Sequence, residues 1–354
     1  MKTLTQFLFT LLALTCASTT LAATSPVGAT PGSFAVSPSG AATYSIPIQV
    51  PPGVGGMQPN ISLNYNSQGG NGIAGVGWGI GGLSAITRCG ATIDRDGSKG
   101  GVDLTTSDKY CLDGQRIIDI NLYSLRTCTN GREFRTEIES FNRVVSCSTQ
   151  GNGPMYFIVT SKNGVTTEYG YENGSQQFAQ GNSTVLNWYV NRITDAVGNY
   201  MQFFYTTDSG TTGEHRVDHI DYTYLGTAFV GGVARSVKFN YAAPGDSDAR
   251  GDIETSYVGG GKEQTSRRLR NVQTLLGGVP VRSYNFGYDN STATGRSRLA
   301  SVQECGSDGV CLQQQMTLGW NGDSGAGFST VSNALVGGWC DPGCRDLSVD
   351  GCER

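Results

Sequence analysis

The sequence predicts an all-β chain: one large multi-hairpin antiparallel β-sheet domain, sandwich or shell-like, rich in turns and glycine. Three observations carry this. Glycine supplies 51 of 354 residues, about twice the usual ~7%, and each glycine costs about 1 kcal/mol inside a helix. Short runs of Tyr, Phe, Val and Ile alternate with polar residues and are separated by Asp-Gly, Asn-Gly or Gly-Asn turns. No window of a dozen residues carries a clean helical stripe. Charged residues are only 15% and the net charge is −4, so there is no basic field to hold nucleic acid or an anionic membrane.

Residues 1–22 read as a secretory signal peptide. Lys2 is its positive end, Phe7 to Ala17 its apolar run, and Thr20-Leu21-Ala22 a small-x-small cleavage site. The run is too short to span a bilayer, and no other stretch approaches membrane length. Thr15 before Cys16 fits a lipoprotein site poorly. Residues 23–33 form a small-residue linker, and the mature chain is expected to be secreted.

The β domain is expected over 34–330. Phe34 to Val50 alternates, broken by the turn Pro38-Ser39-Gly40, and Pro51-Pro52-Gly53 breaks it again before the strand Ile61 to Tyr65. Gly69 to Gly82 surrounds Trp78 with glycine and small apolar residues, which predicts positive φ or close packing on the indole. Trp78 is therefore expected to anchor the core. Tyr156 to Thr160, the turn Lys162-Asn163-Gly164 and Val165 to Tyr171 make a hairpin. Trp188 to Ile193, Asp195 to Asn199 and Tyr200 to Thr206 repeat the unit. Val217 to Tyr224, Val233 to Tyr241 and Val281 to Tyr288 read likewise. Residues 331–354 lack the pattern and read as an incomplete or disordered, cysteine-containing tail.

Ten cysteines, less Cys16 in the signal, leave nine in a setting where disulfides persist. Spacing does not fix the pairing. Cys305–Cys311 is expected, with two further bridges among Cys89, Cys111, Cys128 and Cys147; Cys340, Cys344 and Cys352 crowd the tail.

The motifs that suggest chemistry are weak. Gly322-Asp323-Ser324-Gly325 resembles a serine-protease nucleophile turn but needs a histidine base. The only histidines, His215 and His219, lie on a strand pattern, which sets their rings about 13 Å apart, too far to share a metal with bonds of about 2 Å. Gly77 to Gly82 matches Gly-x-Gly-x-x-Gly without the flanking strand and helix of a dinucleotide site. Asp94-Arg95-Asp96-Gly97 opens like a calcium loop, but Thr105 stands where the closing Glu belongs. No catalytic, cofactor or metal residue is assigned.

Longer runs carry a resemblance. Gly32 to Val36, Gly40 to Ile48, Pro59 to Ser67, Gly75-Val76-Gly77-Trp78-Gly79 and Ile86-Thr87-Arg88 resemble the start of the SpvB-type N-terminal domain. So do Tyr110 to Arg116, Phe134-Arg135-Thr136-Glu137, Tyr169-Gly170, Asp195 to Asn199, Arg296-Ser297-Arg298-Leu299 and Trp320. That domain belongs to the virulence plasmid B protein and to the B components of insecticidal toxin complexes. The resemblance implies the first part of a β shell that continues through a propeller and Rhs repeats around a toxic polypeptide; in the virulence protein it precedes a separate ADP-ribosyltransferase domain. This sequence shows no propeller, Rhs repeats or effector, so it reads as a fragment or as a free exported domain. The resemblance implies a secreted, non-catalytic scaffold without cofactor. Its expected partner is a protein: the remaining shell or other toxin-complex components. The alternative is a surface module binding a carbohydrate or receptor through some of its 16 Tyr.

Overall fold

The computed structural model describes residues 27–123, 127–128 and 130–320. The expected signal peptide, the expected tail with its cysteines, and Ser324 lie outside these residues, as does part of the expected linker. Among the described residues the chain is nearly all antiparallel β-structure; its helical pieces are Ile93–Asp96, Val54–Gly56 and Val230–Gly232.

The first sheet has strands β1 (Ser33–Val36), β2 (Ala42–Pro47), β3 (Ser62–Asn66) and β4 (Trp78–Gly81), in that order. Alternation sets its two faces. Ile46, Leu63 and Ile80 align in register as one row, and Tyr44, Tyr65 and Trp78 as the next. Trp78 is buried, edge-on to Tyr44 at 6.4 Å and tilted on Tyr65 at 5.3 Å. Of the two expectations for the glycines around it, positive φ holds at Gly75, Gly77 and Gly82, and the close contacts are with backbone and side chains such as Tyr65, not with the indole. Gly77 takes φ +75°, and a Cβ there would lie 2.6 Å from the Tyr65 ring. At Gly82, φ is +88° and a Cβ would meet the Asn60 carbonyl oxygen at 1.9 Å. Only glycine satisfies both constraints.

Eight strands then close a ring. They are β5 (Ala85–Cys89), β6 (Lys109–Leu112), β7 (Gln115–Tyr123), β8 (Arg132–Thr136), β9 (Arg143–Thr149), β10 (Pro154–Thr160), β11 (Thr166–Tyr169) and β12 (Asn187–Thr194). Each pairs with the next, and β12 returns to β5 through Asn187↔Thr87, Trp188↔Ile86 and Tyr189↔Ala85. Hairpin signals predict the consecutive pairings; they carry no sign of the closing one.

The other half of β12 starts an open sheet. Arg192, Ile193 and Thr194 pair with β13 (Asn199–Asp208). The order then runs β14 (Glu214–Leu225), β15 (Arg235–Ala242), β16 (Arg268–Leu276), β17 (Val279–Asn290), β18 (Ser297–Gly306) and β19 (Met316–Thr317). β12 is thus shared by ring and sheet. The first sheet and the open sheet contribute to one hydrophobic cluster. Polar ties join them as well: Tyr222 Oη donates to the Pro51 carbonyl at 2.8 Å, and the Gln49 N–H donates to Tyr284 Oη at 3.1 Å.

Candidate functional site

Rings from alternate strands of a closed barrel can meet only inside it. Tyr110, Phe134, Phe157 and Trp188, from β6, β8, β10 and β12, do so edge-to-face at 5.1–6.2 Å. Arg88 lies among them, 5.6 Å from the Tyr110 and Trp188 ring centres. Its side chain is fully buried and pairs with Asp108 at 3.0 Å. It also donates to the carbonyls of Val185, Thr105 and Asn152. A buried cation persists only when so fully partnered.

Above this plug the barrel mouth opens into a cavity of about 770 Å³. Tyr110 and Phe134 reach it from the plug, and three ion-paired groups line its walls. Arg116 meets Asp96 at 2.7 Å, with Lys109 at 3.8 Å from the same oxygen. Arg95 meets Glu137 at 2.9 Å, and Arg132 meets Asp119 at 2.6 Å. The last pair depends on a bulge: between Glu133↔Leu122 and Phe134↔Asp119 the β7 strand carries extra residues, with Asn121 at φ +64°. That turn brings Asn121 Oδ1 onto Arg132 at 2.9 Å as well. Asn130 and Ser148, also on the walls, take positive φ. The Thr92 N–H, outweighing partial burial, together with Arg116 and Lys109 holds the Asp96 carboxyl below its ordinary pKa. Cations thus occupy the carboxylate that the calcium-like motif offered. Burial pushes the Tyr110 phenol up, so it stays protonated.

The two histidines sit on β14 but part company. The register shifts between Phe204 and Tyr205, leaving Asp218 as an extra residue between Val217 and His219. The bulge turns the rings to opposite faces. His215 is stacked on Tyr189 at 4.2 Å and Tyr205 at 4.8 Å, and burial pushes its pKa down to about 4. His219 stacks on Phe204 at 4.2 Å and hydrogen-bonds Asp218 at 2.6 Å. Nearby Ser236 donates to Asp221 at 2.6 Å and not to the imidazole, which is not a nucleophile–base pair. Among the described residues, no group of three His, Cys, Asp or Glu side chains is arranged to hold a metal.

Disulfides join Cys89 to Cys111 and Cys128 to Cys147 in the barrel, and Cys305, near the end of β18, to Cys311 beyond it. Tyrosine faces on the open sheet are largely taken by neighbours: Tyr200 and Tyr224 stack at 4.8 Å, Phe229 lies on Tyr224 at 4.1 Å, and Arg192 lies 3.8 Å from the Tyr200 ring centre.

Residues 36–223 match the family described as Salmonella virulence plasmid 65kDa B protein, SpvB. The chain belongs to this family. The SpvB match spans the first sheet from the end of β1, the ring, β13 and most of β14. The fold is also similar to solved structures. The crystal structure of TcdB2-TccC3 aligns at TM-score 0.63 and 17% identity, over 81% of this chain and 16% of that one. The Photorhabdus luminescens Tc holotoxin pore aligns at 0.61 and 17%, over 82% and 16%. The N-terminal domain of effector protein SpvB from Salmonella typhimurium aligns at 0.57 and 17%, over 74% and 98%. The SpvB-family chain therefore spans about a sixth of the toxin-complex chains and nearly all of the SpvB domain. No curated protein matches it in sequence. Sequence reasoning missed Arg88, Asp108 and the paired wall of the cavity, although Arg88, Tyr110, Arg116, Phe134 and Glu137 all fall within the motifs that carry the family resemblance.

Proposed function

We propose that this SpvB-family chain is a secreted, non-catalytic β scaffold, a toxin-associated structural module that acts through protein partners. The observation that carries the reading is the ring-and-sheet architecture joined by β12 and aligned over most of its length with one part of TcdB2-TccC3. A barrel filled by its own aromatic rings and a paired arginine is a rigid strut, and the continuous open sheet is a segment of shell wall. Disulfides suit an exported setting, as does the N-terminal signal pattern. Its partner is the rest of a toxin-complex-like shell. Among the described residues no helix is long and apolar enough to cross a membrane.

The test has two arms. Mass spectrometry of chain recovered outside producing cells is expected to find Ala23 as the first residue; chain confined to the cytoplasm with Met1 intact refutes export. Crosslinking mass spectrometry on the same cells is expected to join the chain to toxin-complex-type proteins. A chain crosslinked to nothing but itself refutes the scaffold role, and turnover of ester or peptide probes that follows the purified chain refutes the non-catalytic one.

A further inference from the structure

We infer that the barrel-mouth cavity is a binding site for a neutral, densely hydroxylated ligand, an oligosaccharide. Its volume, about 770 Å³, lies within the roughly 300–1,000 Å³ of small-ligand sites. Its charges choose the ligand by exclusion. Asp96, Asp119 and Glu137 repel a phosphate or carboxylate, while Arg95, Arg116 and Arg132 repel a cation. An apolar ligand would strip water from these groups without replacing its hydrogen bonds, which is costly. A saccharide carries donors and acceptors on every carbon and an apolar face on its ring. The cavity supplies the complement: aromatic surface from Tyr110 and Phe134, and acceptors and donors fixed in position by their ion pairs.

Some of that capacity is unused. Lys109, 3.8 Å from Asp96, and the Tyr110 hydroxyl make no hydrogen bond to a described residue, and both line the cavity. The walls are also held in costly shapes. The β7 bulge and the positive φ of Asn130 and Ser148 are the kind of local strain that clusters at ligand sites. The tyrosines Tyr200 and Tyr224 of the open sheet are not where this reading places the ligand, because their rings stack on each other.

The experiment is an array of neutral gluco-, galacto-, manno- and N-acetylglucosamine-series oligosaccharides, probed with the purified chain and followed by calorimetry on the strongest. Binding is expected, and Lys109→Ala and Tyr110→Phe should each weaken it about tenfold, the worth of a hydrogen bond in such a site. Lys238→Ala, on the open sheet, should leave it unchanged. Tyr110→Phe keeps the packed ring, and near-ultraviolet circular dichroism checks that both variants fold. A blank array overturns the proposal. So does binding that Lys109→Ala and Tyr110→Phe leave intact, or capture confined to sulphated and sialylated glycans.

Discussion

The ring from Ala85 to Thr194 and the sheet from Asn199 to Thr317 are built from the same hairpins, yet they treat their edges and their interiors differently. The ring closes on itself through β12 and β5, so its members have no free edge to pair with another chain. It is stitched by two disulfides and packs rings around a buried ion pair. The sheet stays open and covers one face by lying on the first sheet. Its ties include the Cys305–Cys311 bridge and Asp252, which accepts from Asn71, Ser297 and Arg250 at 2.7–3.0 Å. The ring leaves no edge to cover, whereas the sheet depends on what lies over it, although the cores of both belong to one hydrophobic cluster with the first sheet.

The sharpest way to break this contrast is to empty the ring's charge pair. Asp108→Ala leaves the Arg88 guanidinium buried without its counter-ion and should cost about 3–5 kcal/mol by chemical denaturation. A cost under about 1 kcal/mol would mean that Arg88 behaves as a surface ion. Trp78→Ala attacks the other half. Removing the indole between Tyr44 and Tyr65 should also cost about 3–5 kcal/mol. Hydrogen exchange on the two variants then sharpens the comparison. If ring and sheet open separately, Asp108→Ala speeds exchange only over 85–194 and Trp78→Ala only in the first and open sheets. Acceleration everywhere in both variants would make them one cooperative unit.

Disulfides come next in size. Cys89 and Cys111 are 22 residues apart, Cys305 and Cys311 only 6. Loop entropy therefore predicts a loss of about 3 kcal/mol when the first pair is replaced by alanine and about 2 kcal/mol for the second. Equal losses would mean that strain or packing, not chain entropy, sets the difference.

A further expected effect is a pH dependence at the seam between ring and sheet. His215 is held neutral, its pKa pushed by burial to about 4, whereas the unfolded chain protonates near 6.5. The unfolded state binds more protons between those values, so stability falls as pH drops from about 6.5 to about 4. Asp252 adds a second, lower window. Burial alone would raise its pKa, but the Ser297 N–H and hydroxyl, Arg250 and Asn71 outweigh it and hold it near 2. That stability is lost as pH falls from 3.8 toward 2. Urea midpoints measured against pH should show both windows, and His215→Gln should flatten the upper one alone.

What the sequence made legible was local. Asn163-Gly164 reads as a turn because glycine accepts φ +82° there, and the Ser161 N–H closes it on the Val165 carbonyl. Trp78 reads as core because glycine and small apolar residues surround it in the sequence, and the structure buries it beside Tyr44 and Tyr65. The ring closure was not legible, since Ile86 and Trp188 meet across a hundred residues without a shared turn. Nor was the bulge at Asp218, which leaves the alternating run intact on paper while turning His215 and His219 apart. The cavity was hidden for a third reason. Arg95, Arg116 and Arg132 look like solvated surface charges one at a time, and only the β7 bulge and the closed ring bring them to one mouth.

Strand β12 also decides how the chain can be divided in the laboratory. Because Asn187–Tyr189 belongs to the ring and Arg192–Thr194 to both ring and sheet, no cut separates the two architectures cleanly. A recombinant piece ending at Thr194 keeps every pairing of the ring. A piece beginning at Asn199 loses the partner of Tyr200 to Gln202 and opens with a bare strand. The gene is thus best trimmed from the sheet side, and a graft of the sheet onto another protein must carry Asn187–Thr194 along as its first strand.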